Sequence, residues 1–342
     1  MTDKGLGQLG DGLLFGAVII YALAMLGFAG EQASRKARQS VTAVRASAQV
    51  LVGSGGPPVT LPAETVTTFA PSRAGRLALA LTGLGWLVHL VSIVTRGFAA
   101  DRVPWGNMYE FSSCVAFVAV TAFLVLVARR YVERSLGAFV MLPVVLYLGL
   151  AATKLYTAAG PLVPALNSYW IKIHVAAAIT ASGAFLLSGV VAVLYLVRSR
   201  YDETAALLSA DPRATRRGWL RRRRQRPVRL RFPVTLGAQL PAAPVLDRVS
   251  YVVIAFAFPV WTFAVIAGAI WAEAAWGRYW GWDPKETWSF ITWVLYAGYL
   301  HARATAGWKG RKAAWVAVAA ACALVIDYYV VNIFVVGLHS YA

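Results

Sequence analysis

Long apolar runs separated by short polar stretches recur along the whole chain. A membrane-crossing helix needs about 20 consecutive apolar residues, and eight runs approach that length. They cover residues 11–29, 76–97, 111–128, 137–156, 170–197, 249–272, 288–305 and 313–336. The pattern predicts an all-α polytopic membrane protein with about eight transmembrane helices. We expect the first run to be a retained helix, because no clean small-residue cleavage pattern follows it.

The composition supports a membrane protein. Of the 342 residues, 59% are hydrophobic and 14% are charged, against about 45–50% and about 25% in soluble domains. These values exclude a soluble globular enzyme, a disordered tail and a disulfide-stapled secreted module. Cys114 and Cys322 lie far apart inside apolar runs, with no CxxC motif, so neither a redox pair nor a zinc site is indicated.

The basic residues predict the orientation in the cell membrane. The net charge is +18, but lysine and arginine lie between the apolar runs, as the positive-inside rule requires. We therefore expect no nucleic-acid partner. Residues 198–248 hold thirteen arginines against four acids and are predicted to be cytoplasmic. Eight spans then place residues 98–110, 157–169 and 273–287 and the C-terminal tail on the extracytoplasmic side.

Two basic stretches divide the chain into expected units. Residues 31–75 and 198–248 are rich in small, proline or arginine residues, and both are predicted to be unstructured linkers. The expected organisation is an N-terminal helix with its linker over 1–75, followed by a membrane domain over 76–342 that carries the arginine-rich loop.

Residues 271–288, which we call the tryptophan loop, are the most informative segment. Six of the thirteen tryptophans fall between 271 and 293. An aromatic belt at the membrane surface is the alternative interpretation, but a belt needs neither shaping glycines nor acids. The loop favours binding of a large flat π-system. Asp283, Pro284 and Glu286 also predict a helix start with Asp283 as the N-cap.

The four histidines are candidate ligands. His174 and His339 are predicted to lie on the side of the tryptophan loop, where two imidazoles could be axial ligands to a haem iron. His89 and His301 lie inside spans, where ionisable residues are costly and usually functional. The alternative for these two is a neutral imidazole bonded to a neighbouring helix. Asp327, in the last span, is either functional or bonded to a tyrosine.

Several motifs together resemble one family. Trp276-Gly277-x-x-Trp280-x-Trp282-Asp283-x-x-Glu286-x-Trp288 resembles the WWD signature of haem-handling proteins of cytochrome c biogenesis. Pro104-Trp105-Gly106-Asn107-Met108-Tyr109-Glu110 is similar to a Pro-x-Ser-Asn-x-Tyr-Glu element, with Gly106 in place of serine. Tyr169-Trp170-x-x-x-His174-Val175, Tyr299-Leu300-His301-x-Arg303 and Gly337-Leu338-His339-Ser340-Tyr341 also match. The chain thus resembles the CcsA/ResC family (CcsB-type in actinobacteria) of system II cytochrome c synthesis over about residues 76–342.

The resemblance implies a function and a set of site residues. Such proteins present non-covalently held haem b at the outer membrane face for thioether attachment to the CxxCH cysteines of apocytochrome c. His174 and His339 would be the external iron ligands and His301 an intramembrane ligand. The family's other intramembrane histidine lies on the partner, so His89 is implied least. Trp276, Gly277, Trp280, Trp282, Asp283, Glu286 and Trp288 would form the haem platform.

The resemblance also implies partners. The chain would act as a subunit of a holocytochrome c synthase with a Ccs1/ResB-type membrane protein, and a thiol-reducing thioredoxin-like protein is a further partner it allows. Arg278 and Lys285 are candidate cations for the haem propionates. Two other functions remain open: a transporter or flippase of another lipid-like substrate, and a haem-b electron-transfer subunit using His89 and His301.

Overall fold

A computed structural model describes residues 3–52, 72–161, 168–209 and 231–339. Ser340 and Tyr341 of the last histidine motif lie outside these residues. So do residues 53–71 of the first basic stretch and residues 210–230 of the second.

Every long element in the described ranges is an α-helix, which confirms the predicted fold class. The helices are α1 (Asp3–Val52), α2 (Arg73–Ala100), α3 (Met108–Ala128), α4 (Gly137–Lys154), α5 (Tyr169–Ser209), α6 (Ala243–Trp276), α7 (Pro284–Thr305) and α8 (Arg311–Val325). A π-helical turn, Ile326–Val331, and a short helix, Asn332–Phe334, extend α8.

Seven of the described helices are long and apolar enough to cross a membrane. The eighth, α7, has 22 residues but carries charges in its first and last turns. It follows α6 and packs against α8. The predicted bundle of about eight helices is therefore confirmed.

Two helices run beyond the apolar segments from which they were predicted. α1 continues to Val52 and α5 to Ser209, so the predicted linkers 31–75 and 198–248 are helical over their first residues. The extensions are rich in Ala and Arg, with Gln and Leu among the other residues, and these favour helix without requiring a membrane. Apolarity alone therefore ended both helices too early. The division of the chain at residue 75 stays a prediction.

α5 is the central helix, in contact with α3, α6 and α8. Small residues allow the close approach, as is common between membrane helices. A Cβ at Gly183 would lie 2.8 Å from the carbonyl oxygen of Val115 in α3, and one at Gly189 would lie 2.6 Å from Cβ of Ala321 in α8.

Ion pairs hold α1 against the bundle at two positions, Asp11 and Glu31. Arg96 Nη1 donates to Asp11 Oδ1 at 2.7 Å, and Arg96 Nε donates to Glu110 Oε1 at 2.9 Å. Near the middle of α1, Arg134 Nη2 donates to Glu31 Oε1 at 2.9 Å. Because buried charges are stable only when paired, these contacts fix the position of α1 along its axis.

Candidate functional site

A cavity of about 360 Å³ opens at the end of the bundle that carries the tryptophan loop, here called the loop end. Residues of α3, α5, α6, α7 and the π-helical turn line it, and so do His174 and His339. The wall reaches Leu186 in α5, about 18 Å along the helix below His174 at 1.5 Å per residue. The walls are mostly apolar and aromatic.

His174 lies in the second turn of α5 and is oriented by α6. Its Nδ1 lies 2.7 Å from the carbonyl oxygen of Ala264. A carbonyl only accepts hydrogen bonds, so Nδ1 carries the proton and the lone pair is on Nε2, which can bind a metal. A Cβ at Gly268 would lie 2.7 Å from that Nδ1, so glycine is needed for this approach.

His339 has an equivalent arrangement with a stronger acceptor. Its Nδ1 lies 2.8 Å from Oδ2 of Asp283, and Leu338 N donates to the other carboxylate oxygen at 2.8 Å. Burial acts to raise the pKa of Asp283, but these hydrogen bonds outweigh it and hold that pKa below its ordinary value. Burial lowers the pKa of His339, although Asp283 opposes the shift. Its proton on Nδ1 places the lone pair on Nε2.

Trp271 joins the two histidines. The His174 ring is parallel to the indole within 7° at 6.5 Å between centroids, and the His339 ring lies at 5.9 Å and 62°. Trp276 packs edge-on against both Trp271 and His339, at 4.8 and 4.9 Å. Trp271 was not among the site residues predicted from the sequence. Its position at the start of the tryptophan loop, five residues before Trp276, was the available signal.

The remaining tryptophans of the loop occupy different environments. Trp280 lines the cavity, whereas Trp282 is 65% exposed and packs edge-on against Trp280 at 5.8 Å. Trp288 is half-buried and is not among the cavity-lining residues. Together with Trp271, which also lines the cavity, the loop therefore offers two indoles to the cavity and one to the surface.

The glycine and acids of the loop shape its backbone. Gly277 has φ of 68° and ends α6, its N–H bonding to Glu273 O at 2.8 Å. Asp283 caps α7, and Glu286 Oε2 accepts from the N–H groups of Asp283 and Gly281. The helix start predicted at Asp283 is thus confirmed. The Asp283 carboxylate also orients His339.

Charged groups also line the cavity. Lys285 lies 3.7 Å from Asp327 Oδ2, while Lys172 is exposed. Arg102 bonds to Glu110 through both terminal nitrogens, at 2.7 and 3.1 Å. Arg278 lies 3.7 Å from Glu286 Oε2. Of the two predicted propionate partners, Lys285 lines the cavity and Arg278 does not.

His89 and His301 lie apart from the cavity. His89 is fully buried, with Nε2 2.9 Å from Ser113 Oγ and Nδ1 3.4 Å from the Tyr21 hydroxyl. His301 is exposed on α7, about 27 Å along the helix axis from Asp283. The structure therefore brings together only two of the four histidines.

A family model described as "Cytochrome C assembly protein" matches residues 105–339. The chain belongs to this family. The match begins just after α2 and includes both cavity histidines and the whole tryptophan loop. α1 and His89 lie outside it.

Curated relatives are of the CcsA type. The chain is 34% identical over 292 residues to the cytochrome c biogenesis protein CcsA of Gloeobacter violaceus, covering 77% of this chain and 83% of that protein. It is 35% identical over 291 residues to CcsA of Synechococcus elongatus, covering 79% and 89%. The chain is thus a CcsA-type member of the cytochrome c assembly family.

A solved structure has the same fold. The cytochrome c haem lyase CcmF superimposes with a TM-score of 0.55 at 18% identity, over 96% of this chain. The match spans about half of CcmF, 47% of its length. At this identity the likeness concerns the fold alone.

Proposed function

We propose that this CcsA-type protein holds haem b non-covalently in the loop-end cavity and presents it for attachment to apocytochrome c. One observation carries the proposal. His174 and His339 line the same cavity, and each has its Nδ1 bonded to an oxygen acceptor, so that Nε2 carries the lone pair. Metal-binding histidines are commonly oriented by such a bond from the second nitrogen.

The surrounding residues fit a porphyrin as cargo. Two neutral imidazoles would occupy both axial positions of the iron, and axial ligation by histidine tunes its reduction potential. Trp271, Trp276 and Trp280 supply aromatic surface beside the histidines. Exposed Trp282 would cover the part of the ring that leaves the cavity. Asp283 and Glu286 act on the backbone and on His339 rather than on the ring.

The chemistry to be assisted is addition of a cysteine thiol to a vinyl group. The sulfur forms a bond to one vinyl carbon and the proton goes to the other, so no external oxidant is needed. The protein's part is orientation, which can supply much of the rate enhancement of a bimolecular step. The CxxCH motif of the apocytochrome would approach the loop end, which we propose is extracytoplasmic.

A partner completes the proposed system. We propose a Ccs1/ResB-type membrane protein as the second subunit of the haem lyase, with a thioredoxin-like protein as the source of reduced thiols. His301 is exposed on α7, where it could meet a histidine of that partner across an intramembrane haem. His89 would first have to give up a bond to Ser113 or Tyr21, so it is the weakest of the proposed ligands.

The test is the absorption spectrum of the purified protein and of its histidine variants. We expect a Soret band and split α and β bands in the reduced wild type. His174→Gly and His339→Gly should each weaken both, and added imidazole should restore them. Trp308→Ala, at the opposite end of the bundle, serves as the control for folding. A haem spectrum that persists unchanged when both His174 and His339 are replaced contradicts the proposal.

A further inference from the structure

The cavity contains an ion pair, Lys285 with Asp327, that has no part in the proposed roles of the histidines and tryptophans. Lys285 Nζ donates to the main-chain oxygen of Asp327 at 2.9 Å and lies 3.7 Å from its Oδ2. The Asp327 side chain is 4% exposed, and its Oδ1 is buried without a hydrogen-bond partner among the described residues. A buried carboxylate oxygen without a hydrogen-bond donor is unfavourable in free energy. The hydrogen bonding of Asp327 Oδ1 is therefore satisfied only when a donor enters the cavity.

The backbone fixes Asp327 on the cavity wall. It belongs to the π-helical turn Ile326–Val331, and such turns frequently occur at functional sites. The turn brings three consecutive residues, Asp327, Tyr328 and Tyr329, onto the wall. The Tyr328 hydroxyl donates to Met108 O at 2.6 Å and lies 2.9 Å from Ser112 Oγ, so the turn is tied to α3. Asp327 is therefore held in place beside the space that the cargo would fill.

Resting on the proposed function, we propose that Lys285 and Asp327 form the anchoring site for one propionate of the haem cargo. The Lys285 ammonium group supplies the positive charge, and Asp327 Oδ1 shares one proton with the propionate carboxyl group. The ion pair is neutral before binding. A propionate ion would add one negative charge to a buried site, so one proton must be taken up to keep the site neutral. No covalent bond forms or breaks.

The other charged groups of the cavity are poorer anchors. Arg102 is already bonded to Glu110 and to the carbonyl oxygen of Gly160. Lys172 is exposed, where water screens its charge. The further titratable groups on the cavity wall are Asp101, Tyr147 from α4, His174 from α5, Tyr279, Glu286 from α7, Tyr328 and Tyr329 from the π-helical turn, and His339. Asp283, which accepts from Lys285 N, is a further charge beside the pair.

The site can be tested by comparing two porphyrins on the full-length protein. Haem and its dimethyl ester share the iron, the ring and the vinyl groups, but the ester has no carboxylate. We expect the wild type to bind haem about tenfold or more tighter than the ester, as for a buried charge-assisted hydrogen bond. In Lys285→Met the preference for haem should disappear, so that haem and the ester bind with about equal affinity.

A second variant shows whether a loss of preference in Lys285→Met comes from misfolding. Lys285→Met leaves Asp327 as an uncompensated buried charge, whereas Lys285→Met/Asp327→Leu removes both charges together. The double variant should also bind both porphyrins equally. Lys154→Met removes an exposed cation at the end of α4, outside the cavity, and should keep the wild-type preference.

Asp327→Asn tests the shared proton. Its amide can donate to an ionised propionate, so this variant should still prefer haem over the ester. At about pH 8, above the ordinary histidine pKa, haem binding should take up about one proton in the wild type and none in Asp327→Asn. Proton uptake is measured with a pH indicator in weakly buffered solution.

Three results would overturn the anchoring site while leaving the proposed function intact. They are equal affinity of the wild type for both porphyrins, an unchanged preference in the Lys285→Met/Asp327→Leu variant, and unchanged proton uptake in Asp327→Asn. Loss of the preference in Lys172→Met alone would assign the anchor to Lys172 instead. A wild type that binds neither porphyrin would overturn the proposed function as well.

Discussion

The carboxylate of Asp283 accepts a hydrogen bond from Nδ1 of His339, 2.8 Å away, across 56 positions of sequence. The same carboxylate caps α7 by accepting from Lys285 N at 3.2 Å. One acid therefore starts a helix, holds the C-terminal segment against the tryptophan loop, and sets the tautomer of a histidine on the cavity wall. A carboxylate bonded to a histidine ligand also raises the basicity of the ligand.

Replacing this carboxylate by an amide should weaken haem binding. In Asp283→Asn the amide NH₂ can donate to Nδ1, which moves the imidazole proton to Nε2 and removes the lone pair that iron needs. We expect a loss of about 10–100-fold in haem affinity, the usual effect of removing an orienting partner. Haem titration monitored at the Soret band measures it.

The control for Asp283→Asn is Glu273→Gln, which removes an exposed acid from the same loop. Its haem affinity should equal that of the wild type. If Asp283→Asn binds haem with unchanged affinity, the role assigned to the Asp283–His339 bond is wrong.

Gly268 should tolerate no side chain. In Gly268→Ala the new Cβ would lie 2.7 Å from His174 Nδ1, so the imidazole must move away from Ala264 and lose its orienting bond. Haem affinity should drop at least about tenfold. Gly149→Ala in α4 is the matched control, because its Cβ meets nothing within 4 Å. Equal affinities of the two variants would show that His174 does not need this position.

The buried acid Glu110 should stabilise one wall of the cavity. It accepts from Arg96, Arg102 and the N–H of Gly106 at 2.7–3.1 Å. Glu110→Gln removes one of the two carboxylates that neutralise Arg96 and Arg102 and leaves only Asp11, so the free energy of unfolding should fall by about 3–5 kcal/mol. Denaturant unfolding in detergent measures this loss, and hydrogen exchange should accelerate over residues 102–107.

An exposed acid provides the comparison for Glu110. Glu203 pairs with Arg311, and both side chains are nearly half exposed. Glu203→Gln should cost about 0–1 kcal/mol, as is usual for surface pairs. A Glu110→Gln variant as stable as Glu203→Gln would contradict the structural role of the network.

α1 should contribute to the stability of the bundle through Glu31. The Glu31 side chain is fully buried and pairs with Arg134 at 2.9 Å. Glu31→Gln and Arg134→Met should each cost about 3–5 kcal/mol, and the double variant should cost less than their sum. Thermal unfolding of the four proteins gives the coupling energy. Additive losses would mean that the two residues act separately.

The sequence predicted the fold well because the length of an apolar run is enough to identify a membrane helix. The eight runs correspond to the eight long helices, although α1 and α5 extend further than apolarity indicated. The helix start at Asp283 was also predictable, because capping is a local property of three or four residues. The motifs led to the correct family, since the combination of the tryptophan loop with three histidine contexts is specific.

The relationships between distant residues could not be read from the sequence. The sequence placed His174 on the side of the tryptophan loop and His89 inside a span, but it did not show that Ser113 and Tyr21 are the hydrogen-bond partners of His89. The pairing of Lys285 with Asp327 joins α7 to the π-helical turn, and the position of Trp271 between two histidines joins α5, α6 and the C-terminal segment.

By itself, then, the sequence determined that this is a membrane protein and which segments form its helices. Hydropathy and charge are properties of each residue along the backbone, so they can be read without the tertiary structure. Tertiary packing decided which imidazoles share a cavity and which nitrogen each of them offers. Those properties depend on short-range contacts of about 3 Å between helices, and only the packed bundle brings such groups together.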